Sequence, residues 1–355
     1  MSTILIDENQ DVYVCGNNLQ RQLGLNYNDY VNVLTKIPDF KAISVSFGNS
    51  YTVFIIENND VYVCGYGRFG QLGLGYVDDA HMFVKIPDFK AVSVSCGNGY
   101  TVFITENYDV YVCGDNAVGQ LGLGYDDVDK PTKIPDFKAI SVSCGCYHTV
   151  FITENNDVYV CGSNLYGQLG LSHNKKIKIP TKIPNFKAMS VSCGSYHTVF
   201  ITENNDVYVC GYNLWGQLGL GHKNNVNTPT KIPDFKAVSV SCGNCHTVFI
   251  TENNDVHVCG YNVYGQLGLG NNDDADKPIK IPNLKTISAF CGTNHTIFIT
   301  EDYDVYTCGY NRFSQLGLGY NKHVTHINTP TKISNFNFKP LQKRRFNKTK
   351  SARNI

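Results

Sequence analysis

The segment Asp-Val-Tyr-Val-Cys-Gly, followed by a near-copy of Tyr-Asn-x-x-Gly-Gln-Leu-Gly-Leu-Gly, recurs seven times in this chain. Its cysteine falls at Cys15, Cys64, Cys113, Cys161, Cys210, Cys259 and Cys308, at intervals of 49, 49, 48, 49, 49 and 49 residues. A unit of that length buries too little apolar surface to fold alone and must lean on its neighbours, so the period describes a tandem array. A length of 355 residues would otherwise suggest two or three domains; the repeat makes it one body.

One unit gives the architecture. From Lys236, the residues Val238, Val240 and Cys242 alternate with Ser239 and Ser241, the period-two pattern of a half-buried strand. After the Gly243-Asn244-Cys245 turn, His246 to Thr251 read as a second strand. Glu252-Asn253-Asn254-Asp255 is turn chemistry, and Val256 to Cys259 form a third strand. Gly265, Gly268 and Gly270 then interrupt regular structure, and a short fourth strand around Ile279-Lys280-Ile281 is expected to end at Pro282. Four such strands repeated seven times, with no helical periodicity, predict an all-β, seven-bladed β-propeller. The first copy opens directly on its second strand, Ser2 to Ile6, while Phe336-Asn337-Phe338-Lys339 remain after the last fourth strand. The C-terminal segment is therefore expected to supply the missing strand of the first blade. N- and C-terminal strands sharing one blade would close the ring and remove two free sheet edges. The propeller is assigned to residues 1–341 and a basic, disordered tail to 342–355.

The formal net charge of zero hides an asymmetry. From Phe336 to Ile355 there are seven Lys or Arg and no acid, which leaves the preceding residues at 23 minus 30, or −7. An acidic body does not suit a nucleic-acid surface. No run approaches the roughly 18 apolar residues of a spanning helix, and Met1 to Gln10 lack the apolar region of a signal peptide. The fourteen cysteines follow the repeat, except for Cys146 and Cys245. They read as small buried hydrophobes of a cytoplasmic or nuclear protein, not as the disulfide framework of a secreted one.

The string Cys161-Gly162-Ser163-Asn164-Leu165-Tyr166-Gly167-Gln168-Leu169-Gly170, with Cys193-Gly194-Ser195-Tyr196-His197-Thr198, resembles the regulator of chromosome condensation repeat family. The resemblance extends over residues 1 to about 340 and implies a seven-bladed propeller, in agreement with the strand count. It also implies a choice of functions: exchange factors for Ran-type small GTPases, lipid- or chromatin-associated scaffolds, and propellers working with ubiquitin-ligase or kinase domains. The exchange factor of this family carries an inserted β-wedge in one blade. Here only eight or nine residues separate the Gly-Gln-Leu-Gly-Leu-Gly motif, or its Arg21 to Asn26 counterpart, from the following Lys-Ile strand in the first six units, and twelve in the seventh. No unit has room for an added hairpin, which argues against exchange activity.

Three other patterns resolve into the repeat. Cys144-x-Cys146-x-His148, and Cys242 with Cys245 and His246, suggest zinc, but the period scatters such sets around a ring. The histidines His148, His197, His246 and His295 are expected to be buried and bonded to backbone, and no metal or cofactor site is assigned. Gly65-Tyr66-Gly67-Arg68-Phe69-Gly70 matches the dinucleotide fingerprint by letter, yet no helix can open after it. Acids such as Glu154 and Asp157 recur as turn residues, and no asymmetric catalytic constellation is present, so no enzymatic activity is assigned. The cluster Lys343, Arg344, Arg345 reads equally as an import signal, an anionic-surface contact or a solvated terminus.

Because the copies serve as an internal comparison, positions that differ between them are free to address a partner. Two zones vary, and both connect third to fourth strands. One is the doublet before Gly-Gln-Leu-Gly, which includes Arg68-Phe69, Tyr166, Trp215, Tyr264 and Arg312-Phe313. The other is the loop after it, basic at Lys175 and Lys176 and acidic at Asp273 and Asp274. Exposed aromatics and arginine among charged loops are the composition of a protein-binding surface. The expectation is a monomeric, non-enzymatic interaction scaffold whose protein partner meets that face. An exchange factor for a Ran-type small GTPase is the second reading, and a substrate adaptor of a ubiquitin ligase the third.

Overall fold

The structure is a computed structural model and describes residues 2–319, 324–334, 336 and 338. Blade 1 holds three antiparallel strands: β1 (Ser2–Ile6), β2 (Asp11–Gly16) and β3 (Val31–Lys41). Blade 2 holds four: β4 (Ser44–Phe47), β5 (Tyr51–Ile55), β6 (Asp60–Gly65) and β7 (Ala80–Lys90). Three more blades repeat this order. The last two share a 17-residue strand, Ala275–Cys291, which leaves blade 6 as its outer strand and enters blade 7 as the inner one. The described residues contain no helix, and none that could cross a membrane.

Local chemistry sets each hairpin. The turn residue before each third strand, such as Asn156, Asn205 and Asn254, sits at positive φ (60–62°), which asparagine tolerates better than most residues. The fourth strand is longer than the sequence suggests: it does not end at the proline. In blade 1, Tyr13 pairs with Lys36 and Asp11 with Lys41, so Pro38-Asp39-Phe40 bulge out and the strand resumes. Asp39 makes the bulge at φ 53°, and Asp or Asn repeats this in every copy through Asn283. The bulged phenylalanine is thereby aimed at the next blade: Phe40 packs on Phe54 and Tyr62, and Phe89 on Phe103 and Tyr111.

The invariant polar residues hold blade to blade. In all seven seams a threonine hydroxyl of the second strand donates to the backbone carbonyl of the preceding blade's Gly-Gln-Leu-Gly glutamine, at 2.5–2.8 Å. The cysteine of Asp-Val-Tyr-Val-Cys-Gly reaches the same oxygen at 3.4–3.6 Å. Threonine and cysteine are cross-strand partners (Thr149 with Cys161), so their fixed pairing in the sequence serves one shared acceptor. Near the axis, the Cys96, Cys144, Cys193, Cys242 and Cys291 amides donate to a serine hydroxyl one blade back, at 2.9–3.0 Å.

The seventh seam uses the contacts of the other six across the whole chain. Thr3 and Cys15 reach the Gln315 carbonyl, His295 bonds Thr3, and Gly319 bonds Asn32. Leu5 of blade 1 and Ile297, Ile299, Val305, Ile333 and Phe338 form one buried cluster. Of the expected closing segment Phe336 to Lys339, Phe336 and Phe338 are described, and Asn337 and Lys339 lie outside the described residues. Phe336 packs on Tyr13 at 4.9 Å, a contact across the seam like that of Phe40 with Tyr62.

Candidate functional site

The loops between inner and second strands, and those between third and fourth strands, emerge on one face of the ring, since residues such as Tyr51 and Gly65 are paired at that end of blade 2. At its centre lies a chain of backbone bonds, from Asn98 to Cys146, Cys146 to Ser195, Ser195 to Asn244 and Asn244 to Thr293, at 3.2–3.3 Å. Asn49 continues it through the Asn98 side chain at 2.9 Å.

Outside that chain the doublets are positioned by fixed neighbours. The glutamine side chain accepts the amide of the second doublet residue, as Gln217 does for Trp215 at 3.1 Å and Gln168 for Tyr166 at 3.0 Å. The Cys-Gly-x-Asn asparagine clamps the loop: Asn213 accepts the Leu218 amide and donates to the His222 and Asn224 carbonyls. These residues fold the loop and leave the doublet outward. Its first member is exposed at Arg68, Leu165, Leu214, Val263 and Arg312, and its second is half-buried at Tyr166, Trp215, Tyr264 and Phe313. Phe69 is exposed and packs on Tyr66 at 5.9 Å.

The half-buried aromatics form a ladder that crosses the seams. Trp215 meets Tyr261 at 4.8 Å, and Tyr261 meets Tyr264 at 6.1 Å. Tyr264 meets Tyr310 at 4.7 Å, Tyr310 meets Phe313 at 5.8 Å, and Phe313 meets Tyr30 of blade 1 at 5.5 Å. A neighbouring group joins Tyr166 to Tyr196 and Tyr212, with Tyr147 stacked on Tyr196. Trp215 and Tyr264 are thus joined through Tyr261, and Tyr166 belongs to the adjoining group. Sequence reasoning missed Tyr30, Tyr147, Tyr196, Tyr212, Tyr261 and Tyr310. The signal was there to be read, since Tyr212, Tyr261 and Tyr310 share one repeat position, and each faces the doublet of the blade before it. Blade 3 has Ala117-Val118 in that place, so the aromatic lining is interrupted there, and the ladder runs from blade 5 through blades 6 and 7 to blade 1.

Lys175 and Lys176 are exposed in a loop that Asn174 ties to the Leu165 carbonyl. Asp273 is likewise exposed, beside Asn272, which bonds the Val263 carbonyl at 2.8 Å. Asp274 serves the loop itself, because its carboxylate accepts the Asn262 amide at 2.9 Å, as Asp79 and Asp127 do for Gly67 and Asn116. It shapes its own blade, whatever else it meets. Lys343, Arg344 and Arg345 lie outside the described residues.

The histidines are bonded differently from the expectation. Each imidazole meets a threonine hydroxyl one blade on, not backbone: His148 with Thr198, His197 with Thr247, His246 with Thr296 and His295 with Thr3, all at 3.0 Å. Since the threonine proton goes to the glutamine carbonyl, Nε2 carries the imidazole proton. Burial holds all four well below the ordinary histidine value, to about 3 for His148, His197 and His295 and about 4 for His246. Cys144, Cys146 and His148 point to three separate partners, Ser95, Ser195 and Thr198, and among the described residues no three metal-ligating side chains converge.

All fourteen cysteines are free. Burial pushes the thiols up, to about 11 at Cys96 and about 12 at Cys144 and Cys242. Cys146 and Cys245 lie on the aromatic face and are half-buried. Cys144, Cys242 and Cys291 are half-buried too, so a thiol-disulfide reagent should label these five first and the nine buried cysteines only on unfolding. Peptide mapping that finds early labelling of Cys161 or Cys210 would contradict the seam geometry.

A profile of the RCC1-like domain matches residues 136–351, more than half of the chain. The regulator of chromosome condensation (RCC1) repeat matches at 58–104 and 109–152. Among curated proteins none matches this chain in sequence. Among solved structures, Prp20p from Saccharomyces cerevisiae is similar at TM-score 0.84 and 22% identity over 93% of this chain and 88% of its own. Yeast RCC1 (Prp20) bound to Kap60 superimposes at TM-score 0.83 and 21% identity, over 94% of this chain and 85% of that one. Human WBSCR16 does so at 0.82 and 21%, over 91% and 94%. At these identities the likeness establishes the fold, and with the sequence profile it places the chain: it belongs to the RCC1-like family of seven-bladed propellers.

Proposed function

We propose that this propeller is a non-enzymatic interaction module that binds a protein partner through the aromatic side of the face described above. One observation carries the reading. The residues that repeat are consumed by seams and loop clamps, whereas the doublets vary freely and take part in an aromatic ladder that runs from blade 5 to blade 1. A surface that the fold does not require, rich in tyrosine and tryptophan, has the makeup of a binding hot spot. The free thiols suit the reducing conditions of the cytoplasm or nucleus, where the protein is proposed to act.

Exchange activity is the second reading, favoured by the fold likeness to Prp20p, a protein characterised for its binding to Gsp1p and histones. Against it, the third-to-fourth connections of blades 1–6 contain no strand; blade 2, for example, runs from Gly65 to Ala80 without one. Nothing in the geometry favours a ubiquitin-ligase adaptor. Affinity capture from the protein's own cells, with wild type and Trp215→Ala side by side, tests the proposal. Partners retained by wild type should fall about tenfold with the variant, the ratio that about 1.4 kcal/mol produces. Capture of a small GTPase whose nucleotide release the propeller accelerates would promote the second reading.

A further inference from the structure

We infer that the segment received over blades 4 and 5 is short, amphipathic and acidic: apolar side chains on the ring, carboxylates toward its rim. This rests on the reading of the aromatic side as the partner face and specifies what it takes. The first doublet residues of three consecutive blades are aliphatic and exposed, at 64% for Leu165, 51% for Leu214 and 47% for Val263. Each stands next to a half-buried aromatic, Tyr166, Trp215 or Tyr264. A row of aliphatic tips on an aromatic bed gains most from apolar side chains presented at matching intervals.

Charge selects among apolar ligands. The connecting segments 163–179 and 212–230 contain Lys175, Lys176, Lys178 and Lys223 and no aspartate or glutamate. Lys175, Lys176 and Lys223 are exposed, so a carboxylate laid along these two connections meets positive charge, with Asp276 of blade 6 marking the far edge where it packs against Gly216 and bonds Gly221. At blade 6 the sign reverses with Asp273, Asp274 and Asp276. The acidic part of the ligand therefore belongs over blades 4 and 5 and stops before blade 6, which gives it a direction. The chain's own C-terminal region is excluded as occupant by the same rule, since it carries seven basic residues and no acid from Phe336 onward.

The test is selection of a phage-displayed random peptide library on the full-length protein, followed by affinity measurement with the selected peptides. The expected winners combine large apolar residues with aspartate or glutamate. Their affinity should fall about tenfold or more with Leu214→Asp, an exposed position where the fold is preserved, and with Lys175→Glu/Lys176→Glu, the latter in a salt-dependent manner. Winners that depend on Leu214 and Trp215 but are basic or uncharged would overturn the acidic assignment and leave the partner face standing. Winners indifferent to Leu214→Asp, Trp215→Ala and the lysine reversal would overturn both. A library that yields no winner, with sedimentation showing self-association abolished by Leu214→Asp, would give the surface to a second copy of the chain and overturn the inference.

Discussion

Acid should unfold this protein steeply, with a midpoint above pH 4. Four imidazoles are buried at the seams, with folded-state values of about 3, 3, 4 and 3 at His148, His197, His246 and His295. In the unfolded chain each titrates near 6.5. The folded value lies below the unfolded one, so the stabilisation is fully present above about pH 6.5 and is lost as pH falls toward 3. Across that window the unfolded chain binds up to four more protons, a slope of roughly 5 kcal/mol per pH unit. Domain stabilities are about 5–15 kcal/mol, so one or two units below 6.5 suffice. His197→Tyr is the informative variant, because Tyr51 and Tyr100 fill that position in blades 2 and 3 and bond carbonyls of the next blade. It should lower the proton uptake by one. A wild-type protein that keeps its cooperative fold at pH 3, or a variant with unchanged proton uptake, would contradict the neutral-histidine seams.

Gly194→Ala should cost about 3 kcal/mol or more, the high end of overpacking. A methyl group there would lie 2.1 Å from His197 Cε1, 2.4 Å from its Nδ1 and 2.6 Å from the Gly243 carbonyl of the next blade. The ring cannot swing away without leaving Thr247, and the carbonyl belongs to backbone, so neither neighbour yields. Gly270→Ala is the matched control. Its added methyl meets only Thr329 Cγ2 at 3.8 Å, and its φ of +79° imposes backbone strain of about 1–2 kcal/mol. Denaturant unfolding of the two variants should differ accordingly. Equal losses would mean that the inner loops relax more freely than the seam geometry allows.

The strands were legible because alternation in segments such as Val238 to Cys242 reports burial directly, and the hairpin turns because Asn254 and its counterparts carry turn chemistry. The length of the fourth strand was not legible. Pro282 read as a terminator, whereas Asn283 at positive φ lets the chain bulge and return to the sheet. At the candidate site, Trp215 and Tyr264 stood out by varying between copies. Tyr261 did not, because its meaning comes from the blade before it, and a comparison within one copy cannot see across a seam. The histidines were placed correctly as buried groups, but their threonine partners lie fifty residues away.

The central claim is that partners meet the aromatic side of one face. Its most direct measurement is quantitative affinity capture with three folded proteins: wild type, the pair Trp215→Ala/Tyr264→Ala, and an opposite-side control, Lys182→Ala/Lys187→Ala. The control removes two surface ion pairs to Asp157 at 2.7 and 3.6 Å and the Lys187 bond to the Asn155 carbonyl at 2.7 Å, and exposed ion pairs of this kind contribute little to stability. The account predicts that the control retains the wild-type partners and that the aromatic pair loses them. Partners retained by the folded aromatic variant, or lost by the lysine control, would contradict it.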